Sequence, residues 1–377
     1  MFVHASRSGS IAHMDPHRTE QAMRIALIST PMLPVPPPTY AGTERVVAAL
    51  GDALIARGHE VTLYAPGDST IEGGRLVPTI DQSLWSTEYR GDISAHVSIS
   101  LAKAWADHDQ FDVIHSHIET MGFLFARHCP TPVVSTLHGR LDQAGAPELL
   151  DEFSDIPLVS ISDSQRRFSP DAHWVATIHH GLPFDNAPFG AEPGDYLAVV
   201  ARITPEKGIE EAIELARRTG LPLRMAGKVY DEHEQQHFAE VVQPALDDPD
   251  VQLEFLGEVD QRARDPLYAG ALATVMLGAW PEPFGLVAIE SLATGTPVIA
   301  RRAGGLTETI EHGVDGFLVD DVTEAELAVQ QARELDRRQI RERALERFSP
   351  VRMASEYEDI YRRVIAERGR TPAPARV

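Results

Sequence analysis

From Met23 onward, short apolar runs alternate with longer segments in which apolar residues return every three or four positions. The first pattern predicts strands buried on both faces, and the second predicts helices with one buried stripe. In the first half the strand-like runs are Ile25–Ile28, Val61–Tyr64, Asp112–His115, Pro132–Ser135 and Leu158–Ile161. After residue 195 the alternation restarts with Tyr196–Ala201, Leu223–Ala226, Leu253–Leu256, Ala273–Leu277, Val298–Ala300 and Gly316–Val319. Helices are expected over Thr43–Arg57 (closed by Gly58), Gly208–Arg218 (closed by Gly220), His233–Leu246 and Met353–Ala366. Glycines at those ends suit a left-handed helix stop. Strand and helix in strict alternation predict an α/β protein with parallel sheets, and two such series predict two doubly wound domains.

Between the series, Gly181, Pro183, Pro188, Gly190, Pro193 and Gly194 form a stretch rich in chain breakers and predict a hinge. The expected layout is an N-terminal extension over 1–22, a first domain over 23–185 and a second over 186–349. The final helix and a tail fill 350–377. The extension is expected to be disordered, with Met23 opening the first strand.

A chain of 377 residues is too long for one core, which agrees with two domains. The formal charge of -22 argues against nucleic acid and anionic lipid as partners, although local arginines and lysines can still bind a small anion. Cys129 is the single cysteine, which excludes an internal disulfide and a cysteine-built zinc site. No run is long and apolar enough to span a bilayer, so a cytoplasmic enzyme is expected. The first strand runs into Pro31, Pro34 and Pro36–Pro38 instead of a Gly-x-Gly-x-x-Gly turn, which removes the nicotinamide dehydrogenases from consideration.

The chemistry concentrates in Pro281-Glu282-Pro283-Phe284-Gly285-Leu286, followed by an apolar helix carrying Glu290. Taken singly, each acid reads as an ordinary helix carboxylate. Together they are expected to line one side of a cleft, and Glu290 is expected to have a partner because its neighbours are apolar. Arg202 and Lys207 in Ala201-Arg202-Ile203-Thr204-Pro205-Glu206-Lys207-Gly208 stand at a strand end, where two cations suit a diphosphate. Gly42 opens the first helix, whose amide groups can face an anion. His115, His117 and His138 stand at strand ends of the first domain. The His-x-His spacing has no third ligand nearby, and no catalytic metal is expected.

These motifs resemble the family 4 retaining glycosyltransferases over Met23 to about Ile365. The resemblance implies two Rossmann-like domains facing across a cleft, the GT-B fold, with a final helix that crosses back to the first domain. It implies transfer of a sugar from a nucleotide diphosphate sugar, such as a UDP-sugar, to an acceptor hydroxyl, with retained configuration. It further implies that Arg202 and Lys207 bind the diphosphate and Glu282 contacts the donor sugar. Glu290 would hold the ribose, and His138 would reach the sugar from the opposite wall, with His117 ranked second as an acceptor-side or structural group. The segments holding Gly257, Glu258 and Val259, and Phe284, Gly285 and Leu286, would surround the nucleotide together with Gly42. Two positions depart from the family pattern. Ala41 stands where a glycine is usual, and His180-Gly181-Leu182-Pro183 replaces Asn-Gly-Val-Asp. The nucleotide sugar would act as co-substrate without a separate cofactor. An epimerase, a phosphorylase and a non-catalytic nucleotide-sugar binder are the alternatives, and donor, acceptor and oligomeric state stay open.

Overall fold

The structure is a computed structural model, and it describes residues 22–39, 41–87, 89 and 91–368. The expected extension, apart from its last residue, and the tail after Arg368 lie outside the described residues.

The first domain holds seven strands: β1 (Arg24–Ile28), β2 (Glu60–Ala65), β3 (Arg75–Pro78), β4 (Val113–Ser116), β5 (Val133–Thr136), β6 (Leu158–Ser160) and β7 (Trp174–Thr177). They form one parallel sheet in the order β3-β2-β1-β4-β5-β6-β7. The second holds β8 (Leu197–Val200), β9 (Leu223–Ala226), β10 (Leu253–Phe255), β11 (Ala273–Met276), β12 (Val298–Arg301) and β13 (Gly316–Val319). Their order is β10-β9-β8-β11-β12-β13. Both sheets are doubly wound, and each reverses direction beside its first strand. That reversal opens a crevice at the carboxyl ends of β1 and β4, and of β8 and β11.

The central strands are almost wholly buried, which is why they read as continuous apolar runs. β3 and β7 were not foreseen. Both are edge strands whose residues are all exposed or half-buried.

The first helix spans Gly42–Ala56, one residue earlier than expected, and buries Val46, Val47, Leu50 and Leu54. Ala41 precedes it without a side-chain cap, so the helix start has backbone amides with no side-chain acceptor. The final helix, Pro350–Arg368, crosses to the first domain and packs on Gly42–Ala56. Glu358 anchors it, accepting a bond from Arg57 Nη2 at 2.8 Å and lying 2.8 Å from His59 Nε2. Burial pushes the Glu358 carboxyl up, but the bonds and charges of Arg57 and His59 outweigh this and hold it down at about 2.

The chain passes between domains twice, and the two passages touch. Leu182 N donates to Phe348 O at 3.0 Å. At Gly181 an added Cβ would lie 2.4 Å from Ser349 O, so only glycine permits this approach. One apolar cluster continues through the junction, joining Leu182 and Phe184 to Phe284, Phe348 and Met353, while a second fills the second domain alone.

Candidate active site

A cavity of about 570 Å³ lies between the domains, at the carboxyl ends of both sheets. Of the residues singled out in the sequence, Gly42, His138, Arg202, Lys207, Glu258, Val259, Glu282, Phe284, Gly285 and Leu286 line it. Gly257 and Glu290 are absent from its walls.

Lys207 reaches the centre because two glycines let β8 and β11 exits cross closely. Gly208 is left-handed (φ 72°), and an added Cβ there would lie 2.4 Å from Gly278 N. At Gly278 a Cβ would lie 2.2 Å from Glu206 O. The Lys207 ammonium therefore sits 2.7 Å from Glu282 Oε2 and 4.0 Å from the centre of the Trp280 ring. Arg202, more exposed, makes looser pairs with Glu206 at 3.4 Å and Glu234 at 3.6 Å.

Glu282 is fixed through its backbone. Gly305 N donates to Glu282 O at 2.6 Å, and a Cβ on Gly304 would lie 2.3 Å from the same oxygen. This explains the paired glycines that follow β12. Gly285 then turns left-handed (φ 98°) and starts the helix Leu286–Ala293 against the cavity. Across the cleft, a Cβ on Gly42 would stand 3.3 Å from Leu286, so the two domains approach closely here.

The expectation that both acids line the cleft is corrected. Glu290 is buried (3% exposed) and held by Arg45 of the first domain, by Tyr268 at 3.1 Å and by Arg264 at 3.4 Å. It has the partners its apolar surroundings demand, but the cavity wall on its helix is formed by Leu286 and Val287. Arg45 is 245 positions away in sequence, and no local pattern marks it.

The first-domain wall is a packed row of histidines. His138 lines the cavity, its Nε2 3.0 Å from His117 Nδ1, and stacks on His180 with ring centres 5.2 Å apart. His117 in turn lies 3.9 Å from His115, which bonds Tyr361 of the crossing helix at 2.7 Å and Thr136 at 2.7 Å. His115 is thus a link to the final helix, well away from the cavity surface. Burial lowers all four, pushing His138 down to about 3, so each ring is neutral near pH 7.

Sequence reasoning missed two members of this wall. His180 was visible only as a departure from the family pattern. Glu119 had no signal: its backbone is left-handed (φ 53°), and its carboxylate accepts the His138 N–H at 2.9 Å, which fixes the turn carrying that imidazole. Burial pushes the Glu119 carboxyl up to about 7. Cys129 is fully buried, and burial raises its thiol to about 11, which removes it as a nucleophile at neutral pH.

A pH dependence follows. Unfolding restores ordinary imidazoles with a pKa of about 6.5, so below that pH the unfolded chain binds protons that the folded one refuses. Stability is therefore expected to fall as pH drops from 7.5 to 5.5. Glu119, raised in the folded state, works in the opposite sense but offsets only one of the four rings. Urea midpoints at the two pH values measure this, and His180→Phe should flatten the difference.

Among the described residues no group of His, Cys, Asp and Glu is arranged to hold a metal ion, and no helix is long and apolar enough to cross a membrane.

Comparison with known proteins places this geometry in context. Residues 40–181 match the model of Glycosyltransferase Family 4, and residues 185–347 match that of Glycosyl transferases group 1. The chain is 28% identical to a glycogen synthase of Mycobacterium tuberculosis over 351 residues, covering 78% of this chain and 81% of the relative. Its fold is similar to that of sucrose-phosphate synthase from Thermosynechococcus elongatus (TM-score 0.75, 21% identity), covering 91% of this chain and 99% of the other. It is also similar to Anabaena HepE solved with UDP and glucose (TM-score 0.69, 18% identity, 90% and 99% covered).

Proposed function

We propose that this chain, which belongs to glycosyltransferase family 4 and has the GT-B fold, moves a sugar from a nucleotide diphosphate sugar to an acceptor hydroxyl with retention of configuration. The observation that carries this reading is the Lys207–Glu282 pair in a cavity between two doubly wound domains, with Arg202 alongside. A hexose on UDP is the donor best supported. The relative named above is a glycogen synthase, and a neighbour in fold was solved with UDP and glucose.

In this mechanism Lys207 and Arg202 grip the diphosphate. The leaving group gains charge as the glycosidic bond breaks, so these cations stabilise the transition state more than the ground state. Glu282 exchanges Lys207 for sugar hydroxyls and for the positive charge that develops on the ring. Glu290, already engaged by arginines, is unsuited to serve as a second catalytic carboxylate in a double displacement. Attack on the face that the diphosphate leaves, assisted by its own oxygen, fits this inventory better. His138, neutral at pH 7, offers a hydrogen bond to a sugar hydroxyl from the opposite wall. No metal is assigned a part in this scheme.

The test is a thermal-shift screen against nucleotide sugars, followed by assay of nucleotide release with and without an acceptor sugar. A donor at a hundred times its Kd should add about 2.7 kcal/mol of stability. Release that depends on acceptor supports transfer. Donor turnover without acceptor would point to an epimerase, and binding without turnover to a non-catalytic binder.

A further inference from the structure

We propose that Glu308 is a positioning residue for the transfer: it docks the loop carrying Glu282 onto the first domain and so sets the gap between Glu282 and His138. The inference rests on the glycosyltransferase reading and adds to it a side chain that stands outside the cavity wall. Glu308 lies on the short helix Leu306–Thr309 of the second domain, three residues after Gly305. Its carboxylate reaches into the first domain. Oε1 accepts the N–H of Ser164 at 2.7 Å, and Oε2 accepts the N–H of Asp163 at 2.8 Å. His179 Nε2, on the passage between the domains, lies 3.1 Å from Oε2. Burial pushes this carboxyl up, but the bonds from His179 and the two amides outweigh it and hold it below the usual range. One anion thus meets three first-domain groups, and bonds to an ionised carboxylate are the strong kind.

Both ends of this contact lead to the cavity. On the second-domain side, Gly305 N holds Glu282 O at 2.6 Å, and Leu306 lies on the cavity wall. Ser162, beside Asp163, donates its hydroxyl to Pro283 O at 2.7 Å, so the residue after Glu282 is tied to the first domain as well. On the first-domain side, His179 is followed by His180, whose ring stacks on His138. Arg352 of the crossing helix fixes that passage, donating to His179 O at 2.6 Å and His180 O at 3.2 Å. Phe284 packs between, its ring centre 5.5 Å from that of His179 and 5.0 Å from that of His180.

In the proposed reaction Glu282 and His138 face one sugar from opposite domains, and Glu308 ties the two walls together behind them. Lys207 and Arg202 both belong to the second domain, so the grip on the diphosphate needs no such tie. Placement of the sugar is therefore separable from binding of the nucleotide. A shift of about 1 Å between reacting groups is enough to lower a rate about a hundredfold.

The experiment titrates the wild-type protein and Glu308→Ala by calorimetry with UDP, ADP, UDP-glucose and ADP-glucose. It then follows nucleotide release with the acceptor sugar found in the assay above. Glu308→Ala should keep the wild-type affinity for bare nucleotide, lose most of the affinity that the glucose adds, and lower kcat about tenfold to a hundredfold. Glu308→Gln keeps one carbonyl acceptor and should recover part of both losses; it carries the test if the alanine variant does not fold. A wild-type glucose increment together with a wild-type kcat, even beside a lower thermal midpoint, marks a merely structural contact and overturns the positioning role. An equal loss of affinity for bare nucleotide overturns it too, and both results leave the donor site standing. Wild-type protein that binds none of the four overturns it together with the reading beneath it.

Discussion

Lys207→Ala is expected to lower kcat/KM for sugar transfer by about a hundredfold to a thousandfold, the usual loss when one positioned transition-state donor is removed. The ammonium lies on the cavity wall, 18% exposed, held by Glu282 and the Trp280 face, and takes no part in either apolar core. Its removal should therefore leave the fold and its thermal midpoint nearly unchanged. Coulomb attraction between unit charges at about 4 Å amounts to about 4 kcal/mol at an effective dielectric of 20, and desolvation takes back part of it. The loss should fall on kcat more than on donor KM, because charge on the diphosphate grows toward the transition state. Glu282→Gln should show a comparable loss by removing the carboxylate from the sugar side. Steady-state kinetics that found either variant within tenfold of wild type would remove the central assignment.

Glu290→Ala should cost about 3–5 kcal/mol of stability, the range seen when one member of a buried ion pair is deleted. The carboxylate is 3% exposed and is shared by Arg45, Arg264 and Tyr268, so its loss takes the common acceptor from two arginines at once. Glu290→Gln keeps the shape and one carbonyl acceptor and should lose less. Urea denaturation measures both. A loss below about 1 kcal/mol for the alanine variant would place this cluster among weak surface-like pairs. Arg45 comes from the first domain, so the variant should also loosen the contact between the domains. That makes donor affinity and stability separable readouts. If Glu290 takes the ribose as the family resemblance implies, the donor must displace Arg45, and Arg45→Ala would then tighten donor binding.

The alternation of strands and helices was legible because parallel strands buried on both faces must be apolar throughout. Ile25–Ile28 and Val298–Ala300 could be read almost to the residue for that reason. β3 and β7 escaped because edge strands bury only part of their surface and need no such run. In the site, Arg202, Lys207 and Glu282 were legible from local motifs that force close backbone crossings. Partners brought by tertiary folding were not. Nothing near Glu290 announces Arg45, and nothing near His138 announces Glu119. His180 shows the intermediate case, where a departure from a pattern marked a position without saying what stood there.

Gly181 and Ser349 carry one further consequence. Two passages of chain pressed side by side are expected to act like the pin of a door, so that any movement of the lobes becomes a swing about that contact. Opening and shutting then reduce to a single angular coordinate. One spectroscopic ruler between labels on opposite lips should therefore follow the complete cycle, and a bulky side chain in place of Gly181 should pry that axle apart.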